Sequence, residues 1–125
     1  VKMQQAYVSE AMAIGNWGII GYKGPGDNTA GSATGGASSK TTNFNYKDDG
    51  EYTDNTVALS ETGVTGWSAK NKAKLNDCDS NDDNWTVTVQ ALTGDGVAAG
   101  EAKFTAETKE TECAALTPTF NTIGK

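Results

Sequence analysis

Apolar residues recur in two rhythms along the chain. Met3, Ala6, Tyr7, Ala11 and Ile14 fall at the three- and four-residue spacing of one helical face, with Val8 and Met12 widening the stripe. Gln4, Gln5 and Glu10 face away from it. The spacing predicts a helix over 1–16 that stops at Gly15. No capping residue precedes it, and its first turn reads as the cut end of a longer helix. Trp17, Ile19, Ile20 and Tyr22 follow as a short apolar cluster punctuated by Gly18 and Gly21, read as core just past the helix.

Further on the period falls to two, the mark of half-buried strands. Phe44 and Tyr46 alternate, and T-V-A-L-S at 56–60 and V-T-G-W-S at 64–68 are short strands with turn residues between them. W-T-V-T-V-Q-A-L at 85–92 is the clearest strand: Trp85, Val87, Val89 and Ala91 point one way, and Thr86, Thr88 and Gln90 the other. A-K-F-T-A-E-T at 102–108 repeats the pattern with Ala102, Phe104 and Ala106 inward. The glycine-rich T-G-D-G-V-A-A-G-E between these two strands predicts a hairpin. Leu116, Phe120 and Ile123 tuck the tail onto the body. Residues 24–43 have no apolar rhythm and are predicted as a long surface loop. Its glycines lack the G-K-[S/T] of a phosphate-binding loop. In A-K-N-K-A-K, Lys70, Lys72 and Lys74 would form one basic stripe on an extended edge strand.

With 125 residues the chain reads as one domain of modest core. It carries 15 Gly, and Thr, Ser, Asn and Asp fill its loops, which suits a β-rich extracellular domain. Its net charge is −6 and it has no Arg, so no nucleic-acid site is expected. It has no His, which removes His-dependent acid–base and nucleophilic catalysis and the commonest zinc ligand. Paired carboxylates remain, but none sits on an evident framework, so the chain is read as a non-enzyme without a cofactor. Trp17, Trp67 and Trp85 are either core or a sugar-stacking platform, and three tryptophans in so small a domain favour core. No C-x-x-C-H motif supports haem-based electron transfer.

The stretch N-D-C-D-S-N-D-D-N-W at 76–85 holds the remaining chemistry. Asp77, Asp79, Asn81 and Asp83 alternate as calcium ligands do at the start of an EF-hand loop. The pattern then fails, with Asp82 where the turn needs Gly and Thr88 where it needs a bidentate Glu. A solvated acidic turn is the plainer reading. Cys78 and Cys113 are the two cysteines, too far apart in sequence for a C-x-x-C redox site. One precedes the first strand of the predicted hairpin and the other follows the second, so the hairpin's open end would bring them together. A disulfide is expected there in an oxidising compartment; two free buried thiols are the alternative. Asn84-Trp85-Thr86 is also an N-glycosylation triplet, at the mouth of a strand.

The segment Q-Q-A-Y-V-S-E-A-M at 4–12 resembles the part of type IV pilins that follows their membrane-spanning half-helix, where a Q-V-S-E-A-like run occurs. The order of helix, long loop, antiparallel strands and cysteine-bracketed tail resembles that family over the whole chain. The family's glycine-preceded Phe and following apolar run are not among these residues. The resemblance implies an α+β, pilin-like fold, with the N-terminal helix packed on an antiparallel sheet, a long exposed loop and a disulfide-bracketed C-terminal region. It implies a bacterial surface filament built from copies of the chain, anchored in the inner membrane before assembly. Such filaments serve attachment to host or mineral surfaces, motility or biofilm formation. Met3 and Tyr7 would contact neighbouring subunits, and the Lys70/Lys72/Lys74 stripe would meet a neighbour's Asp77–Asp83 cluster. A type II secretion pseudopilin, which tends to carry calcium instead of the disulfide, and a secreted β-sandwich glycan-binding module are the rival readings.

Overall fold

A computed structural model describes residues 1–75, 77–80, 83–92, 96 and 101–123. Helix α1 spans Lys2–Ala11, strand β1 spans Ala13–Gly15 and the short helix α2 spans Trp17–Ile20. Seven strands follow: β2 Asp27–Thr29, β3 Ser38–Lys40, β4 Phe44–Lys47, β5 Thr56–Ala58, β6 Val64–Asn71, β7 Trp85–Ala91 and β8 Ala102–Thr108. Helix α3, Thr111–Ala114, and a 3-10 turn at Phe120–Thr122 form the tail. Six strands make one antiparallel sheet in the order β2-β3-β4-β6-β7-β8, and β5 leaves it to pair with β1.

The β-strands dominate, and the pilin-like α+β arrangement is not what the chain adopts. Helix α1 stops at Ala11, well short of 16, because Met12 turns left-handed (φ 55) and Ala13–Gly15 pair with Thr56–Ala58. Ile14, predicted on the helical stripe, is a fully buried strand residue instead. Ten residues make a helix of about 15 Å, whereas six strands span about 24 Å. The helix therefore cannot cover the sheet. Its buried residues are Val8, from the margin of the predicted stripe, and Gln4, predicted to face away, whereas Met3 and Met12 are exposed and Tyr7 is half-buried. Gln4 can be buried because its amide closes on one residue, donating to the Gly15 carbonyl (2.8 Å) and accepting from the Gly15 N–H (2.9 Å).

The sheet's apolar face is covered from two sides. Val8, Ile14 and Tyr52 pack with Val89 and Phe104, so α1, β1 and the chain around β5 cap the β7–β8 end. The tail caps the middle strands: Leu116 and Phe120 lie against a cluster of Ala69, Trp85 and the two cysteines. A bulge makes this face continuous. Val64 pairs with Val89 and Trp67 with Val87, leaving Gly66 as the extra residue. Without it the alternation would send Trp67 to the polar face; with it Val64 and Trp67 share the apolar one.

Residues 24–43 are not a structureless loop. They contain β2 and β3, a hairpin that extends the sheet at its edge. Polar residues suffice there because β2 is fully exposed and β3 buries only the small Ser39. Cys78 and Cys113 form a disulfide at the open end of the β7–β8 hairpin, the chemistry of a chain that matures in an oxidising compartment. None of the described helices is long and apolar enough to cross a membrane.

The crosslink closes a loop of 35 residue steps, which in the chain-entropy picture stabilises by about 4 kcal/mol. Reduction, or C78A/C113A, is expected to lower the urea midpoint followed by tryptophan fluorescence by about 2 M. An unchanged midpoint would show that the hairpin needs no staple.

Candidate functional site

Between the two covering layers the apolar face remains open as a cleft of ≈ 430 Å³. Its floor is Gly66, Trp67, Val87 and Phe104; α1 contributes Met3, α2 contributes Trp17 and Ile20, and the tail contributes Phe120 and Ile123. Trp67 stands 5.9 Å from Phe120, centroid to centroid, so the two rings lie side by side in the lining.

The placement of α2 sets the cleft's width. Asn16 caps the helix, its Oδ1 accepting from the Ile19 N–H at 2.9 Å. Gly21 closes it in the left-handed conformation (φ 78). Gly15 lets it approach: a Cβ there would lie 2.5 Å from Cγ2 of Ile19. Trp17 then anchors the helix at both ends of its own residue. Its backbone N–H donates to Oδ2 of Asp48 (3.0 Å) and its indole N–H to the Gly66 carbonyl (2.7 Å) in the bulge.

Asp48 is 4% exposed. Its Oδ1 accepts from the Tyr52 hydroxyl (2.7 Å) and the Gly50 N–H (3.1 Å). Burial pushes its carboxyl above the ordinary value of 3.8, a rise opposed by the hydrogen bonds to Tyr52, Trp17 and Gly50. Burial, and then Asp48 itself, pushes the Tyr52 hydroxyl far up. Three donors occupy this carboxylate, so it acts as an anchor; the cleft itself is lined mainly by apolar side chains. Neither Asp48 nor Gln4 was marked by the sequence, where each sits in a polar run that reads as surface.

The other candidate residues scatter. Met3 lies on the cleft's rim, 49% exposed, and the Tyr7 ring stands beside Gly15. Lys70 is in β6, but the strand ends at Asn71 and the chain bends, so Lys72 and Lys74 do not continue its stripe. Lys74 approaches Asp79 at 3.9 Å, and Lys47 binds Asp83 at 3.0 Å and Asp49 at 3.4 Å. Two carboxylates of the acidic run thus face lysines of their own chain. Asp77 is exposed, Asn81 lies outside the described residues, and no metal-holding group of three appears among the described ones. Trp17 and Trp85 are each 3% exposed with their indole N–H groups bonded, to Gly66 and to Oγ1 of Thr117, so no three-tryptophan platform exists. Asn84 is 1% exposed and its amide donates to Oδ1 of Asn71 (2.8 Å) and the Asp79 carbonyl (2.7 Å), which closes the glycosylation triplet in the folded chain.

Asp48→Asn places an NH₂ against one of three donors, and is expected to cost about 2 kcal/mol at pH 7. The folded-state value of Asp48 is raised, so the stability linked to its protonation is fully present below 3.8 and declines as pH rises through the folded value. The Tm gap between wild type and D48N should therefore be widest in acid and narrow towards neutrality. A gap that widened from acid to neutral pH would reverse this assignment. No protein-family model, curated protein or solved structure matches the chain.

Proposed function

We propose that the chain is a structural subunit of an extracellular, type IV pilus-like filament that serves attachment, surface motility or biofilm formation. The observation that carries this reading is where the apolar surface lies. Among the described residues the exposed large apolar side chains are Val1, Met3, Met12, Ile19, Leu92 and Ile123, and four of these six fall in the first nineteen residues. A short helix tied down by Gln4 and Val8 thus turns methionines outward at both ends, Met3 at 49% and Met12 at 55% exposure. Uncovered apolar side chains concentrated in one segment of the chain are the surface that self-association buries.

The pilin-like segment at 4–12 coincides with this helix. The Cys78–Cys113 staple suits a subunit that must keep its fold outside the cell. A net charge of −6 keeps free subunits apart, so the contact has to be supplied by apolar packing. The helix-covered sheet of pilins forms no part of this reading.

Antibodies raised against residues 1–125 are expected to label filaments along their length on cells that make the chain, seen by immunogold electron microscopy. M3E/M12E should abolish those filaments while leaving the domain's melting temperature in place, since both side chains already face water. Label confined to the envelope or medium, or filaments unchanged in M3E/M12E, would overturn the proposal.

A further inference from the structure

The sheet's other face carries a second feature, independent of the filament reading. Register places Asp27 opposite Lys40, Lys40 opposite Asn45, and Asn45 opposite Lys70. Directly opposed residues share a face, so Asp27, Lys40, Asn45 and Lys70 form one row across β2, β3, β4 and β6. The adjoining row runs Thr29, Ser38, Lys47. These rows line a depression of ≈ 290 Å³ walled on one side by the Lys47–Asp83 ion pair.

The charges here run against the molecule's. The chain is −6 overall, yet three of its ten lysines converge on this depression. Lys47 is neutralised by Asp83 and Asp49, whereas Lys40 and Lys70 have no ion-pair partner among the described residues. Two strand spacings separate them, about 10 Å, close to the length of two linked sugar rings. Between and beside them stand an amide (Asn45), two hydroxyls (Ser38, Thr29) and one acceptor carboxylate (Asp27). Sugar hydroxyls donate and accept, so their recognition needs both kinds of partner. Nucleic acid fits less well: the chain has no Arg, and this row carries no aromatic side chain on which a base could stack.

We infer that this row is a binding surface for a uronic-acid-bearing polysaccharide. Lys40 and Lys70 hold carboxylates on every second sugar, and Asn45, Ser38, Thr29 and Asp27 hold hydroxyls. It replaces the excluded tryptophan platform with one built from charge and hydrogen bonds.

The test is titration calorimetry of the full chain with a galacturonate tetramer at low salt. Binding should weaken as salt rises, and K40Q/K70Q should weaken it tenfold or more, as the loss of charge-assisted hydrogen bonds would. The melting temperature of that variant should not move, since Lys40 is exposed and Lys70 half-buried without an ion pair. Absence of binding, equal binding by K40Q/K70Q, or equal or tighter binding of maltotetraose or an oligothymidylate would each overturn the inference.

Discussion

A single buried carboxylate decides where the layers of this protein meet. Asp48 follows β4, and its three donors belong to the start of α2, to the turn at Gly50 and to Tyr52 in the core. Without it, the Trp17 N–H would be left buried and unpaired, at a cost of about 1–3 kcal/mol. Trp17 is also the residue that reaches the Gly66 bulge, so the carboxylate indirectly sets how α2 sits over the sheet. The cleft exists because that helix is held off the sheet by an indole and the tail is held on it by a disulfide. The unfavourable desolvation visible in the raised pKa of Asp48 is offset by three short contacts rather than by a cation.

The strands were legible where alternation was strong. W-T-V-T-V-Q-A and A-K-F-T-A-E-T form β7 and β8, and the position of the cysteines around them led to the observed disulfide. The N-terminal region was misread because its apolar residues satisfy a helical period that the backbone abandons at Met12. Ile14 fits the stripe arithmetically but gains more as a fully buried strand residue paired against Val57. The hairpin at 27–40 was invisible for the opposite reason: β2 is an exposed edge strand and β3 buries only Ser39, so D-N-T and S-S-K carry no apolar period to detect. A bulge likewise leaves no periodic trace, and the burial of Trp67 beside Val64 could not be read from V-T-G-W-S alone.

The candidate surfaces divide in the same way. The exposed methionines belong to a segment whose letters were conspicuous, although only Val8 of its predicted stripe faces fully inward, joined by Gln4. The lysines were conspicuous too, but in the wrong set. Lys70, Lys72 and Lys74 are neighbours in sequence, whereas Lys40 and Lys70 become neighbours only through the pairing of β3, β4 and β6. Local spacing finds groups on one strand; a row across strands depends on register, which the sequence of each strand does not contain.

The staple between Cys78 and Cys113 also changes how the chain responds to tension. Force applied at the two ends passes through the sulfurs and bypasses β7, β8 and the residues joining them. The 35 residue steps inside the crosslink then contribute nothing to extension, withholding roughly 120 Å of contour length. However far the rest is drawn out, this hairpin remains a closed ring, a template on which β6 can pair again once the pull ends.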